Sequence, residues 1–257
     1  MSDALMQTAA RALALLDLTS LNDGDDAAAI DALCARALTP HGPVAAVCVW
    51  PRFVARAVAA LKETGIRVAA VANFPDGGAD IEAAVADTAA ILEAGGDEVD
   101  VVFPYRSLMA GDEAIGAELV EGCKLVCGEK ARLKVIIESG VLKAPELIRQ
   151  ASEIALNAGA DFIKTSTGKV PVNATPEAAE IMLTVLKEHG QGGFKAAGGI
   201  RDTAAAGAYL AIADRIMGPG WAGPETFRFG ASGVMNDLLA VLDGTGNAGG
   251  AVASGGY

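Results

Sequence analysis

The chain has 257 residues, 52% of them hydrophobic and 20% charged, and a net charge of −12. The length suits one α/β barrel, which runs to about 250 residues, and the acidity argues against a nucleic-acid partner, whose phosphates require a basic footprint. No apolar run reaches the roughly 18 residues that span a bilayer, Met1-Ser2-Asp3-Ala4 has no basic leader, and Cys34, Cys48, Cys123 and Cys127 are too scattered for a disulfide framework, so a cytoplasmic protein with reduced thiols is expected.

A helical period over 2–15 gives way to an apolar run at 16–19, and the alternation then repeats along the chain. Strands are predicted at 44–50, 67–73, 98–103, 133–138, 161–166, 193–197 and 227–230. Helices are predicted at 27–37, 52–63, 79–94, 112–127, 145–157, 176–188, 203–215 and 232–242. Strand alternating with helix implies parallel pairing. Eight such units in this length predict an α/β fold, a closed (β/α)₈ TIM barrel in one domain with an extra N-terminal helix. No Gly-x-Gly-x-x-Gly opens the first unit, which disfavours a dinucleotide site. Thr175 and Pro176 mark a helix start, and Gly95 and Gly159 mark helix stops. The barrel is expected over 1–243. Residues 244–257, rich in glycine, are expected to form a flexible tail ending in Tyr257.

In such a barrel the chemistry sits where strands run into the loops that follow them. Asp17 and Thr19, Cys48, Asn73, Asp100, Glu138, Lys164 and Lys195 all fall at or near such points. The two lysines are the most informative, because each closes an apolar run, in Phe162-Ile163-Lys164-Thr165-Ser166-Thr167-Gly168 and in Gly193-Phe194-Lys195-Ala196-Ala197-Gly198-Gly199. An ordinary lysine is free amine in only about one molecule in two thousand at pH 7. Burial and a neighbouring cation both increase that fraction, and a free amine in a pocket forms imines with carbonyl substrates. The alternative for Lys164 is a strand-end cation paired with a carboxylate such as Asp100. Lys195 reads as the charge that tunes Lys164, Asp100 as their partner or a proton shuttle through water, and Asp17 as either an orienting charge or a proton carrier.

Gly198-Gly199-Ile200-Arg201 and Gly230-Ala231-Ser232-Gly233 follow the seventh and eighth strands, where barrels commonly hold phosphate on backbone N–H groups and helix N-termini. Cys48 reads as a small core residue, and Cys123 and Cys127, four apart on one helix, read as packing. With only His41 and His189, no metal site is expected.

These lysine segments, together with Glu98–Pro104, Leu15–Thr19, Phe227–Ser232 and the terminal Tyr257, resemble the 2-deoxyribose-5-phosphate aldolases, class I aldolases on a (β/α)₈ barrel. The resemblance covers essentially the whole chain. It implies reversible cleavage of deoxyribose 5-phosphate to acetaldehyde and glyceraldehyde 3-phosphate, with no cofactor beyond the covalent imine. Lys164 would form that imine, Lys195 would lower its pKa, Asp100 would relay protons through water, and Asp17 would support them. Tyr257 would move a proton at the enamine carbon. Thr167, Gly168, Lys169, Gly199 and Ser232 would surround the phosphate, and Thr19, Cys48 and Phe74 would line the pocket. A homodimer is implied, with neither a nucleic-acid nor a membrane partner. Two departures stand out. Ala196 replaces the proline that commonly follows the second lysine, which is expected to loosen that strand end. Gly233 stands where some relatives carry a second serine, which is expected to relax the demand for phosphate. A different imine-forming aldolase or transaldolase, a sugar-phosphate isomerase and a non-catalytic sugar-phosphate binder are the competing readings.

Overall fold

The computed structural model describes residues 2–245. Eight parallel strands close into a barrel: β1 (Leu16–Thr19), β2 (Ala46–Val49), β3 (Arg67–Ala72), β4 (Glu98–Val102), β5 (Arg132–Ile136), β6 (Phe162–Lys164), β7 (Gly193–Ala197) and β8 (Phe227–Ala231). The circle is completed where β8 pairs with β1, Leu16 opposite Phe229. Helices cross between successive strands, and Asp3–Ala14 precedes them as the extra N-terminal helix. That helix packs on the last two helices of the chain and is pinned by a two-bond contact from Arg11 to Asp214, at 2.8 and 2.9 Å. Among the described residues no helix is long and apolar enough to cross a membrane.

Local sequence chemistry accounts for the element ends. Ser2, Asp26, Asp80, Thr175 and Asp202 each cap a helix by accepting a backbone N–H three residues on. Pro176 occupies the first helical turn, where its missing N–H leaves no bond unmade. Gly95 and Gly159 follow their helices at φ of +91° and +95°, a conformation that a side chain would strain.

Barrel strands have two faces with different neighbours. In β4, Val99 and Val101 face outward and join the core beneath the helices, while Glu98 and Asp100 alternate with them and point into the barrel. Three short elements add to those that periodicity predicts: a hairpin of Leu38–Thr39 with Gly42–Pro43, and helices Tyr105–Met109 and Ser139–Leu142. Five strands are shorter than predicted: β2 spans only Ala46–Val49, β3 and β4 each end one residue early, and β5 and β6 lose their last residues. β6 stops at Lys164 and β5 at Ile136, because Glu138 turns into the left-handed region (φ 55°, ψ 54°) and its side chain takes over the bonding of the next loop.

Candidate active site

The interior of the barrel is ionic. Asp17 from β1, Glu98 and Asp100 from β4, Lys134 from β5, Lys164 from β6, Lys195 from β7 and Arg228 from β8 converge there, none more than 3% exposed. Strand register brings them together: Asp100 lies beside Lys134, Lys164 beside Lys195, and Lys195 beside Arg228. Asp100 Oδ2 accepts hydrogen bonds from Lys164 Nζ (2.8 Å) and Lys195 Nζ (2.7 Å), and Oδ1 accepts one from Lys134 Nζ (2.8 Å). Asp17 accepts from Lys195 Nζ at 2.5 Å and from Arg228 at 2.6 Å. Glu98 pairs with Lys134 at 2.6 Å and receives the Arg228 guanidinium on both oxygens, at 2.8 and 3.2 Å. Gly230 makes room for this arrangement, since a Cβ there would meet Lys195 Cε at 2.9 Å.

Three carboxylates thus face four cations. Burial would raise Asp17, Glu98 and Asp100, but the surrounding cations outweigh it and hold all three below the usual carboxylate range. Burial would likewise lower the bases. For Lys134, Lys195 and Arg228 the carboxylates outweigh burial, and their affinity for a proton rises. Lys164 is the exception. Burial and the charge of Lys195 outweigh its single carboxylate, Asp100, and its pKa falls. The network holds six groups in their charged forms and one amine, Lys164, whose proton is held less tightly than usual.

Beside the charges lies an apolar wall. Leu21, Cys48, Ala69 and Val71, with Trp50 and Phe74 packed on them, form a cluster separate from the main core. Trp50 and Phe74 meet edge to face at 5.6 Å. Burial raises the Cys48 thiol, so it stays neutral next to the ionic group. Thr19 is spent locally, its hydroxyl donating to the Asp17 carbonyl at 2.8 Å.

The loop after Lys164 is fixed from below. The Glu138 carboxylate accepts from Thr167 Oγ1 at 2.6 Å and from Thr167 N at 3.2 Å, and Ser139 N donates to Thr165 O at 2.8 Å. Burial raises Glu138 despite these bonds. Gly140 lies so close that a Cβ would sit 1.9 Å from the Val172 carbonyl.

The model of the DeoC/LacD family aldolases matches residues 11–218. The chain belongs to that family. A solved structure from Coccidioides immitis, provisionally designated a deoxyribose-phosphate aldolase, is 28% identical over 91% of this chain and 86% of its own, with a TM-score of 0.81. A Toxoplasma gondii structure with the same provisional designation, in apo form, is 26% identical over 95% and 99%, with a TM-score of 0.86. A deoxyribose phosphate aldolase from Aeropyrum pernix, described as a unique tetramer, is 25% identical over 94% and 98%, with a TM-score of 0.76.

In this DeoC/LacD aldolase, Asp17, Asp100, Lys164 and Lys195 come together as the sequence reading expects, in direct contact through their side chains. Tyr257 lies outside the described residues. Gly198 and Gly199 have φ of +80° and +82°; Gly198 packs on Asn173, where a Cβ would come within 2.7 Å, whereas the space at Gly199 is open. Ile200 is buried and Arg201 exposed. Asp202 caps the helix after the seventh strand, whereas the helix Val234–Leu242 has no side-chain cap, so the N–H groups following Ser232 and Gly233 stay open to an anion. Thr167 is committed to Glu138, and Lys169 Nζ donates to the Leu21 carbonyl at 2.7 Å across the mouth; Gly168 joins them at φ +87°. Asn73 braces its own loop, its amide donating to the Gly78 and Val102 carbonyls. The strand end after Lys195 is not loosened: β7 runs unbroken to Ala197, whose N–H donates to Thr165 Oγ1 at 3.0 Å.

Three members of the network, Glu98, Lys134 and Arg228, lie beyond the sequence reading. Their signal was present. Lys134 between Leu133 and Val135, and Arg228 between Phe227 and Phe229, are charges inside apolar strands, the same anomaly that singles out Lys164.

Proposed function

We propose that this chain is an aldehyde-lyase that reversibly cleaves 2-deoxy-D-ribose 5-phosphate to acetaldehyde and D-glyceraldehyde 3-phosphate through an imine on Lys164. The observation that carries the reading is the asymmetry among the buried cations: Lys164 alone is disfavoured as ammonium, and it stands at the mouth end of its strand. The provisional designations of the similar structures support the choice of substrate.

In the cleavage direction the Lys164 amine attacks the C1 carbonyl carbon of the open-chain sugar, forming a carbinolamine, and water leaves to give the iminium. Loss of the C3 hydroxyl proton breaks the C2–C3 bond. The bonding pair moves into the iminium, which becomes an enamine, and glyceraldehyde 3-phosphate departs. Protonation at C2 regenerates an iminium, and water releases acetaldehyde and the free amine. Asp100, 2.8 Å from Lys164 Nζ, is the nearest carboxylate for passing these protons through a water. The apolar wall of Cys48, Trp50 and Phe74 suits the two-carbon fragment. The phosphate fits the open N–H groups after Ser232 and the glycines at 198 and 199. The same proposal carries a cytoplasmic homodimer that needs no added cofactor.

The deciding experiment is intact mass after borohydride reduction in the presence of acetaldehyde, with peptide mapping. A 28 Da reduced adduct on Lys164, lost in Lys164→Leu, is expected. A folded protein that binds the sugar phosphate without an adduct would hand the reading to a binder or an isomerase.

A further inference from the structure

The imine reading uses Lys164, Lys195 and Asp100, but the charge network extends past them to the N-terminal end of the barrel. There Arg228 sits over the face of Phe162, 5.9 Å from its ring centre, and Glu98 reaches a cavity on that end of the barrel. Phe162 fills the floor because Gly193, next to it in β7, has no side chain; a Cβ there would meet the ring at 2.4 Å. Three further ion pairs stand around the floor: Arg67 with Asp97, Lys124 with Asp161, and Arg132 with Glu225.

We propose that Glu98 and Arg228, on the floor and out of contact with any substrate at the mouth, are positioning residues that set the charge state of Lys164 through the network. The inference rests on Lys164 being the imine-forming amine. Asp17, Glu98 and Asp100 supply three negative charges, and Lys134, Lys195 and Arg228 supply three positive ones. Every carboxylate is shared by at least two cations, so no pair is closed and a charge removed at one end is felt at the other. Lys164 is faced by Asp100 from β4, Lys195 from β7, the Cys48 thiol from β2 and the Glu138 carboxyl after β5. Arg228 is faced by Asp17 and Glu98, with Lys195 beside it in register, and Glu98 by Lys134, Arg228 and Asp17. Within these seven groups, with the other six in balance, a proton on Lys164 would add one buried positive charge that no carboxylate of the network is left to match.

This makes opposite predictions for the two floor residues. Arg228→Met leaves a deficit that a protonated Lys164 fills, so the amine is held as ammonium to higher pH. Glu98→Gln leaves a surplus and drives Lys164 further toward free amine. The readout is the pH dependence of acetaldehyde adduct formation on Lys164, quenched with borohydride and followed by intact mass. The acidic limb should move up in Arg228→Met and down in Glu98→Gln, each by about one pH unit. It should stay near its wild-type place in Arg228→Lys and return toward it in the Glu98→Gln/Arg228→Met double variant. Loss of packing alone would lower the yield without moving the limb in opposite directions. If Arg228→Met does not fold, the downward shift in Glu98→Gln carries the sign. Shifts of one sign in both variants, or none, overturn the proposal while leaving the imine reading intact; absence of an adduct in the wild-type protein removes both.

Discussion

Lys164 and Lys195 share a strand type, a register position and a carboxylate, yet they differ in charge preference because Lys195 has a second carboxylate, Asp17, and Lys164 does not. The acidic limb of adduct formation in the wild-type protein should therefore lie below the ordinary lysine value near 10.4. Removing the second cation in Lys195→Leu should move that limb up, since burial then acts with one repulsive charge fewer. At pH 7 kcat/KM should fall by about 10²–10⁴-fold, the usual size of a lost acid–base contribution, and an unmoved limb would show that Lys195 does not tune its neighbour. Gly233 offers a second test. It adopts φ −73° and ψ −31° with open space around it, so Gly233→Ser fits without strain and adds a hydroxyl at an uncapped helix start. The preference for deoxyribose 5-phosphate over deoxyribose should then rise roughly two- to tenfold, the worth of one hydrogen bond. A ratio that does not change would separate this position from phosphate recognition.

At the scale of elements, short contacts between backbone and side chain hold the site together. A Cβ added at Gly230 in β8 would press on the stem of Lys195 and come within 3.0 Å of Ala197 Cβ. Gly230→Ala should displace Lys195 from Asp17 and Asp100, lowering turnover far more than it lowers the thermal midpoint; activity that survives would show that the stem can yield. The course of the strands was legible from the sequence: β1 and β7 match their predicted ranges, because buried parallel strands read as apolar runs between glycines and caps. The ends of β5 and β6 were not. Glu138 leaves the strand conformation to bond Thr167, a contact across 29 residues that no local pattern encodes. The same reason hid part of the site. Asp17, Asp100, Lys164 and Lys195 were visible as polar residues in apolar runs that lead into the loops where barrel chemistry gathers, although only Lys164 ends its strand. Glu98, Lys134 and Arg228 stand in the same strands or directly beside them, Lys134 next to Asp100 and Arg228 next to Lys195, and their meaning comes from register with neighbours far along the chain.

For the whole molecule, the ionic interior ties stability to pH. The folded protein holds Asp17, Glu98 and Asp100 below their unfolded values, so their contribution is fully present above the unfolded carboxylate range near pH 4. It is lost as the pH falls through the folded values. Urea midpoints should be level from about pH 6 to 5 and decline steeply below about pH 4. A midpoint that rises on acidification would contradict the ionised state of the three carboxylates. Six of the eight strands contribute a charge to this interior: β1, β4, β5, β6, β7 and β8. Buried ion pairs are often no more stabilising than well-packed hydrophobic residues of the same volume. A barrel refilled with leucine, methionine and phenylalanine could thus melt at a higher temperature than this one while its Lys164, stripped of company, forms no imine. Selection on heat resistance alone would lead this sequence toward a sturdy, inert container, and screens for hardier variants need to score turnover at every round.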